Sequence, residues 1–494
     1  MIYLDRDGKQ KFCNEIKRKS RPGIYLGEPP ERLPMASMAD HDFSHLQDVM
    51  GSLPMLKRYI VVCLAFTLDD TSTSRSEAER SLHDAVDRFG QAFPFLTGQV
   101  VMDGRREGHS GRPKVIPLQD HIQLDVKDLD EFPSMQEIRE AQYPFSMLDC
   151  KVLAPSIASS WSSEGFQQIA PVLMLQANFI RGGLLLTFAG NHMMMDMTGL
   201  GMTISLFSKA CRAEPFTREE VLQGNQPRGN VVPLLGDKYQ PGPELDDSLV
   251  KPRAMEEKNN PSLDSVAVQA PQYPPKWVYF NFTAGNLTQL KEQAGNQTVA
   301  PYISTDDAVG ALCWQSLARA RLPRLGSHVR TVFARPISAR KYLGLQGYYL
   351  GHMVDMVYEA EEDVWQHRLG DIAGRLRQLL LQDEKIAYHT RAFATMLSRL
   401  ADKNQIANGA RLDLNRDIIL SSYANIRCCE LEFGPALGVP DAARRPRMEA
   451  WPSLLYMMPK SRNGDIAVAF CVSEEDLAIL RRDEGFMAYA DYLG

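Results

Sequence analysis

The stretch LLLTFAGNHMMMDMTGLG, residues 184–201, begins with an apolar run that is followed by a short polar turn. The run ends at Gly190, His192 follows it, and Asp196 stands four residues after the histidine. Gly190 and Gly199 bracket the segment, which favours a turn at the end of a strand over a continuous helix. Such a turn can present His192 to a crevice, where enzymes commonly build their sites. A core histidine beside a hydrogen-bonded aspartate explains the same residues equally well.

Regular patterns of apolar residues lie on both sides of this turn. Residues 172–190 predict two strands joined at a pair of glycines, as in a hairpin. After the turn, Leu200, Ile204 and Phe207 recur at helical spacing. The same criteria predict further strands over 55–68, 93–104, 276–284, 352–360 and 464–472, and helices over 75–93, 284–294 and 304–321. Strands and helices alternate, so we predict the α/β class, with mixed sheets flanked by helices.

The chain is long for a single hydrophobic core. At 494 residues it exceeds the size at which one core usually stops growing, so two domains are expected. Nine prolines fall among polar residues between positions 223 and 275, which is typical of a linker or a long crossover connection. We predict an N-terminal domain over 1–222, a proline-rich linker over 223–275 and a C-terminal domain over 276–494.

The composition argues against several classes of protein. The net charge is −6 without a basic block, so neither nucleic acid nor a membrane is predicted as a partner. The longest apolar run, 59–68, is about half as long as a membrane-spanning helix. The charged first residues lack the apolar region of a signal peptide. Eight cysteines are scattered, and the adjacent Cys428 and Cys429 have no close Cys or His, so no zinc site is predicted. We expect a cytoplasmic protein without a bound metal.

A second stretch, SSYANIRCCELEFGPALGVPDAARRP at 421–446, combines a strand pattern with a turn pattern. Apolar and polar residues alternate as far as Phe433, which predicts a strand. Gly434, Pro435 and the glycine and prolines that follow then predict a tight, irregular loop. Taken alone, the stretch indicates a surface turn with a basic flank.

Together, the two stretches resemble the BAHD-type acyl-CoA-dependent acyltransferases of the chloramphenicol acetyltransferase-like superfamily, above all the fungal branch typified by trichothecene 3-O-acetyltransferase. His192 and Asp196 match the His-x-x-x-Asp motif that ends a strand of that family's first domain. Glu432, Phe433 and Gly434 match its Asp-Phe-Gly-x-Gly loop, with glutamate for aspartate and Pro-Ala for the next two residues. Further likenesses follow in the same order along the chain, including FPFLTGQVV, YISTDDAVGALCWQSLARAR and GYYLGHMV.

The resemblance implies both fold and chemistry. Two chloramphenicol acetyltransferase-like domains, each a mixed sheet flanked by helices, would enclose an active-site channel between them. His192 would act as general base on an acceptor hydroxyl, or less readily an amine, which attacks the acyl-CoA thioester directly. An imidazole suits that role because its ordinary pKa of about 6.5 leaves it mostly neutral near pH 7. Acyl-CoA, with acetyl-CoA as the default, is the implied co-substrate, and no permanently bound cofactor is implied.

The resemblance also implies supporting roles near the base. Asp196 would point away from the substrate and hold the turn through a salt bridge to an arginine of the other domain. Arg335 is the first choice for that arginine and Arg340 the second. Gly199 would allow a close turn, although an ordinary loop glycine fits its position equally well.

Other matched positions carry weaker implications. Ser421 and Ser422 would lie near the acyl or pantetheine channel. The loop Glu432–Gly434 is implied to be structural and distant from the reacting atoms. His352 stands where the family often has asparagine. The arginines within 444–447 could meet CoA phosphates, but a solvated basic turn is the default prediction.

Three alternatives stay open on the sequence. A condensation-type enzyme would take its acyl group from a carrier-protein thioester, although related condensation domains have a second histidine where Asn191 stands. A non-acylating binding or cyclisation protein could use the same scaffold. Thiol hydrolysis by Cys428 or Cys429 would need a partner histidine that the sequence does not indicate. The acceptor and the role of Met193–Met195 stay undecided, and a monomer that binds only small molecules is expected.

Overall fold

The computed structural model describes residues 42–118, 122–159, 169–249, 274–345 and 347–494, together with Tyr3–Leu4 and Gln10–Lys11. Tyr3–Leu4 (β1) pairs antiparallel with Gln10–Lys11 (β2), within a compact unit that spans Met1–Asp40. A second unit, His41–Gly494, contains the elements that follow.

The described residues of the second unit form two mixed β-sheets and a two-stranded ribbon of β4 and β5. The strands are β3 (Tyr59–Thr67), β4 (Gln99–Asp103), β5 (Arg112–Ile116), β6 (Gln123–Asp128), β7 (Leu173–Ile180), β8 (Gly183–Asn191), β9 (Lys276–Phe282), β10 (Arg330–Ser338), β11 (Val354–Glu362), β12 (Ile418–Ser422), β13 (Ala442–Arg444), β14 (Leu454–Met457), β15 (Ile466–Val472) and β16 (Asp491–Tyr492).

The five-stranded sheet has the order β13-β3-β8-β7-β6. β7 and β8 form the predicted hairpin, and β3 runs antiparallel to β8. Every residue of β7 and β8 is buried, because both faces of this sheet are covered. The edge strand β13 comes from the C-terminal part of the chain, and its Ala443 pairs with Leu64 of β3. A strand that is distant in sequence therefore completes the sheet that carries His192.

The seven-stranded sheet has the order β11-β10-β12-β14-β15-β9-β16. β12 lies parallel to both β10 and β14, whereas the other neighbouring pairs are antiparallel. Phe145, which belongs to the N-terminal part of the chain, stacks on Tyr279 of β9 with ring centroids 4.0 Å apart. Aromatic packing thus joins this sheet to the N-terminal part of the chain.

Helices flank both sheets, which confirms the predicted α/β class. The described helices are Ser72–Ala92, Met135–Glu140, Cys150–Leu153, Ser156–Ser159, Met197–Cys211, Arg218–Gly224, Ala284–Gly295, Thr305–Ala320, Leu322–Leu325, Leu369–Leu380, Asp383–Arg399, Glu474–Leu480 and Glu484–Met487. Two long helices cover the five-stranded sheet, where Phe89 and Phe207 meet edge to face with centroids 5.7 Å apart. On the other sheet, the buried Trp314 donates from Nε1 to Thr331 Oγ1 at 2.9 Å.

Most predicted elements are confirmed with shifted ends, but one prediction is wrong. The strand predicted from 421 to Phe433 stops at Ser422, and a short 3-10 helix, Cys428–Glu430, follows. The alternation of apolar and polar residues continues beyond β12 because Cys428, Cys429 and Phe433 are buried in a loop. Buried side chains in irregular backbone produced a strand-like pattern there.

The predicted linker, 223–275, lies only partly within the described residues. Its described portion includes the end of helix Arg218–Gly224 and a 3-10 helix, Pro243–Ser248. Residues 250–273 lie outside the described residues. Within the described part of the chain, no helix is long and apolar enough to cross a membrane.

Candidate active site

His192 lies at the end of β8, immediately before a turn that leads into helix Met197–Cys211. Its backbone N–H donates to the carbonyl oxygen of Arg58 at 2.9 Å, which ties the turn to the start of β3. The ring Nδ1 lies 3.1 Å from the carbonyl oxygen of Met195. A carbonyl only accepts, so this contact assigns the proton of the neutral ring to Nδ1 and leaves Nε2 with a lone pair. His192 therefore has the tautomer that a general base requires.

The surroundings of His192 keep the ring neutral. Burial, then the nearby His352 and Arg58, lower the pKa of His192 well below its ordinary value of 6.5. The hydrogen bond to Met195 and the charge of Asp196 oppose that change but are weaker. The imidazole is therefore unprotonated at neutral pH and available to take a proton.

Asp196 stabilises the turn by accepting hydrogen bonds. Its Oδ1 accepts the backbone N–H of Gly199 at 2.8 Å, so it caps helix Met197–Cys211. Arg340 donates to both carboxylate oxygens at 2.7 and 3.0 Å, and the N–H of Met353 donates to Oδ2 at 2.7 Å. Burial raises the pKa of Asp196, but Arg340 outweighs it and lowers the pKa to about 2. The carboxylate is charged, and its two oxygens are occupied by donors.

The prediction that Arg335 pairs with Asp196 was wrong. Arg335 lies within β10 and pairs with Asp307 at 2.7 Å, whereas Arg340 beyond the strand end pairs with Asp196. Arg335 and Asp307 are joined by Arg377, which also donates to Asp307 at 2.8 Å. The strand directs Arg335 toward helix Thr305–Ala320, because side chains on a strand stand perpendicular to the sheet. The turn after β10 therefore brings Arg340, and not Arg335, to Asp196.

Gly199 lies in the first turn of the helix, and the reason for the glycine is close packing. A Cβ atom there would collide with the backbone carbonyl of Leu350. Leu350 belongs to the segment that ends at Met353, whose N–H meets Asp196. Gly199 therefore permits two distant segments to touch at the site, whereas the prediction assigned it to a close turn.

A cavity of about 880 Å³, including its open mouth, lies between the two sheets and contains His192 on its wall. Residues at the N-terminal end of β3 and the turn after β8 form one side, and β11, β12 and β14 contribute the other. Its walls include Tyr59, Met197, Val354, Ile419, Tyr423 and Tyr456. No carboxylate lines this cavity among the described residues, but Arg58 and Arg445 do. The cavity is mostly apolar and locally positive.

The two predicted serines, Ser421 and Ser422, have different surroundings. Ser421 lies on the cavity wall. The Oγ of Ser422 accepts the N–H of Ala424 at 3.3 Å, in a local turn. Contact with a pantetheine arm therefore stays a prediction for Ser421, and the local hydrogen bond weakens it for Ser422.

The Glu432–Gly434 loop packs away from the cavity. Phe433 is fully buried and meets Phe66 of β3 edge to face, with centroids 5.1 Å apart. Gly434 has a φ of 86°, a conformation that favours glycine. Arg212 donates to the carbonyl oxygen of Glu432 and lies 3.8 Å from its carboxylate. The loop thus anchors the end of helix Met197–Cys211 to β3.

Two cavity residues were missed or misjudged from the sequence. Arg445 is buried, at 3% exposure, and its guanidinium stacks on Tyr456 at 4.5 Å, so it does not belong to a solvated turn. The pairing of β13 with β3 carries it inward. His352 faces the same cavity as His192, with ring centroids 5.1 Å apart. Only its place in the GYYLGHMV stretch could have indicated this position.

The described ranges contain no group of three His, Cys, Asp or Glu side chains that could hold a metal ion. Cys428 and Cys429 are buried and are not among the residues that line the cavity with His192. The cavity between the two sheets therefore holds the imidazoles of His192 and His352 among apolar side chains and the guanidinium groups of Arg58 and Arg445. A neutral imidazole in such a cavity can take a proton from a group that binds beside it.

Comparison with known proteins gives the family. Residues 150–487 match the Transferase family, and residues 58–211 match the Trichothecene 3-O-acetyltransferase-like N-terminal domain. The chain belongs to the Transferase family, as the resemblance predicted. The predicted enzyme class, an acyl-CoA-dependent O-acyltransferase, is confirmed by the relatives that follow.

The chain is 39% identical over 471 residues to O-acetyltransferase dmxR13 of Cryptosporiopsis sp. (strain 8999), covering 93% of this chain and 100% of that protein. It is 37% identical over 470 residues to trichothecene 3-O-acetyltransferase TRI101 of Fusarium sporotrichioides, covering 93% and 99%. The crystal structure of F. sporotrichioides TRI101 complexed with coenzyme A and T-2 is similar with a TM-score of 0.81 at 35% identity, covering 91% and 99%. The structure of F. graminearum TRI101 with ethyl coenzyme A gives a TM-score of 0.83 at 33% identity, covering 91% and 99%.

Proposed function

We propose that this enzyme transfers an acetyl group from acetyl-CoA to a hydroxyl of a specialised metabolite, with His192 as the general base. The observation that carries the proposal is the contact of His192 Nδ1 with a backbone carbonyl, which leaves Nε2 as the acceptor. Its Nδ1–H is held by Met195 at 3.1 Å, and the ring lies on the wall of the cavity between the sheets. The names of the relatives supply acetyl as the acyl group.

We propose the following reaction at this site. His192 Nε2 takes the hydroxyl proton while the hydroxyl oxygen attacks the thioester carbonyl of acetyl-CoA. The tetrahedral intermediate collapses as the C–S bond breaks, which forms the ester and releases the CoA thiolate. The protonated His192 then gives its proton to the thiolate, which restores the neutral ring. General base catalysis of this kind contributes about 10²- to 10⁴-fold to the rate.

Asp196 takes no part in proton transfer in this mechanism. Its oxygens accept from Gly199, Arg340 and Met353, so the carboxylate holds the backbone on both sides of the cavity. We assign it the role of a positioning residue. It fixes the turn that presents His192 and the segment that ends at Met353.

The positive charge of the cavity favours the developing negative charge. Arg58 and Arg445 line the cavity, and no carboxylate lies on its described walls. The intermediate and the departing thiolate are both anionic, so fixed positive charges in an apolar site lower their energy. The positive charges of Arg58 and Arg445 therefore support acyl transfer from a thioester donor.

The acceptor belongs, in our proposal, to the oxygenated terpenoids and polyketides of fungal specialised metabolism. Relatives supply the basis, since structures of TRI101 contain T-2 or deoxynivalenol with coenzyme A. The aromatic and aliphatic walls of the cavity suit an acceptor with an apolar skeleton.

We also propose a two-domain monomer in the cytoplasm. The strands of the seven-stranded sheet all lie after residue 275, and those of the five-stranded sheet lie before 223 apart from β13. This supports domains over 1–222 and 276–494 joined by 223–275. The described cysteines are free and buried, as is usual in a reducing compartment. Light scattering of the purified enzyme measures the oligomeric state directly.

The variant His192→Ala tests the proposed reaction. Thiol release from acetyl-CoA is measured with a panel of terpenoid and polyketide alcohols, and products are identified by mass spectrometry. We expect a loss of about 10²- to 10⁴-fold in kcat. The matched control is His83→Ala, which changes an exposed histidine of helix Ser72–Ala92. Turnover of His192→Ala within tenfold of the wild type, or a wild type that does not bind CoA in calorimetry, would contradict the proposal.

A further inference from the structure

His352 is a second histidine on the wall of the cavity that contains His192. The two rings face each other at a centroid distance of 5.1 Å, with their planes inclined by 57°. The proposed reaction needs only one base, so it assigns no role to His352. Its position beside the reacting hydroxyl suggests a role in choosing the acceptor.

The backbone around His352 is held on both sides. Asp48 Oδ2 accepts the N–H of His352 at 2.9 Å and the hydroxyl of Tyr349 at 2.8 Å. Asp196 accepts the N–H of Met353 at 2.7 Å. These carboxylates lie on segments distant in sequence, so the loop cannot shift without breaking buried hydrogen bonds. The ring of His352 is therefore preorganised.

Hydrogen bonding fixes the tautomer of His352. Its Nδ1 lies 3.1 Å from the carbonyl oxygen of His192, and a carbonyl only accepts, so Nδ1 carries the proton. Burial lowers the pKa of His352, which keeps the ring neutral. Nε2 then carries a lone pair. This atom is buried and has no hydrogen-bond partner among the described residues.

The site therefore presents two acceptor nitrogens of the same kind. His192 and His352 each use Nδ1–H on a backbone carbonyl, which leaves each Nε2 as an acceptor. A hydroxyl donates one hydrogen bond, and the reacting hydroxyl gives its own to His192. A ligand with a second O–H or N–H nearby satisfies His352 as well.

We propose that His352 determines specificity by accepting a hydrogen bond from a second hydroxyl next to the one that is acetylated. The favoured acceptors are then vicinal or 1,3-diols and ortho-dihydroxy aromatic rings. This inference rests on the proposed function and narrows its substrate class. An amide N–H of the pantetheine arm offers the same donor chemistry, and the experiment separates the two sources.

A matched pair of acceptors tests the proposal, namely 2,3-dihydroxynaphthalene and 3-methoxy-2-naphthol. Thiol release from acetyl-CoA gives kcat/KM for each, and calorimetry in the presence of CoA gives each Kd. We expect the wild type to favour the diol by about tenfold or more in both measurements, because a site built to bond a hydroxyl rejects the analogue without it. A wild type that binds both compounds equally, or binds neither, overturns the proposal.

Variants connect the preference to the ring nitrogen. His352→Phe keeps a flat ring without an acceptor, and we expect the preference for the diol to fall to about twofold or less. His352→Asn keeps an acceptor oxygen and should retain part of the preference. The matched control His83→Phe, on the exposed face of helix Ser72–Ala92, should retain all of it. Thermal unfolding of each variant shows that the ratios come from folded enzyme.

The Kd of CoA alone distinguishes the two donors. If the pantetheine amide is the partner of His352, His352→Phe weakens CoA binding and leaves the preference for the diol unchanged, which overturns the proposal. An intact binding preference without acetyl transfer by the wild type would instead contradict the proposed function. Acetyl transfer without the preference would contradict only the role of His352.

Discussion

Replacing Asp196 by asparagine perturbs the buried ion pair beneath the base. Arg340 donates to both carboxylate oxygens at 2.7 and 3.0 Å, and the side chains of the pair are only 1% and 7% exposed. Although burial opposes the charge, Arg340 lowers the pKa of Asp196 from its ordinary 3.8 to about 2. That difference corresponds to about 2 kcal/mol of folding stability at neutral pH. The substitution also leaves a buried guanidinium without its counter-ion, so we expect a loss of about 3 kcal/mol.

The pH dependence of this effect has a definite sign. The folded pKa of Asp196 lies below its unfolded value, so the carboxylate stabilises the fold above about pH 4. The contribution is lost as the pH falls toward 2. Urea unfolding of wild type and Asp196→Asn at pH 7, 5 and 3.5 measures the difference in free energy. We expect the difference to be largest at pH 7 and 5 and smaller at pH 3.5.

A double-mutant cycle identifies the partner. Asp196→Asn combined with Arg340→Met should show a coupling energy of about 2 kcal/mol, because the two side chains share buried hydrogen bonds. The matched cycle with Arg335→Met should show almost none, because Arg335 pairs with Asp307. Coupling to Arg335 that equals or exceeds the coupling to Arg340 would refute this reasoning. So would an Asp196→Asn variant with the stability of the wild type.

Three further predictions concern the base, the close packing and the charge of the cavity. Because burial holds the pKa of His192 well below 6.5, kcat/KM should stay constant from pH 6.5 to 8 and fall only at lower pH; an acid limb centred at or above 6.5 would contradict this. Gly199→Ala should reduce the free energy of unfolding by about 1 to 3 kcal/mol, since the Cβ meets the carbonyl of Leu350; unchanged urea unfolding would disprove the contact. Arg445→Met should lower kcat about tenfold, or about 1.4 kcal/mol of barrier, without loss of stability in urea unfolding. An unchanged kcat would exclude a catalytic field from Arg445.

Local patterns were sufficient for the elements around the base. The hairpin of β7 and β8 and helix Met197–Cys211 follow from periodicity, because each buries a face that the sequence marks with apolar residues. The same reasoning failed after Ser422, where buried residues occur in a loop. The spacing of apolar residues indicates which side chains are buried. It distinguishes a helix from a strand only where the backbone is regular.

Long-range contacts account for the features that the sequence did not reveal. The choice of Arg340 over Arg335 depends on where β10 ends relative to the His192 turn, and both arginines occur in the same short stretch of sequence. In the sequence, Arg445 lies in a basic stretch that indicates a surface turn. The pairing of β13 with β3 places it in the interior instead.

By itself, the sequence indicated the strand-to-helix turn that holds His192 and Asp196, because apolar spacing marks the strand before it and the helix after it. It also determined the family through motifs in a fixed order. Only the tertiary structure decided which arginine neutralises Asp196 and that His352 faces the base across the cavity. Those contacts join segments separated by 144 and 160 positions, and no local pattern of residues specifies the distance between them.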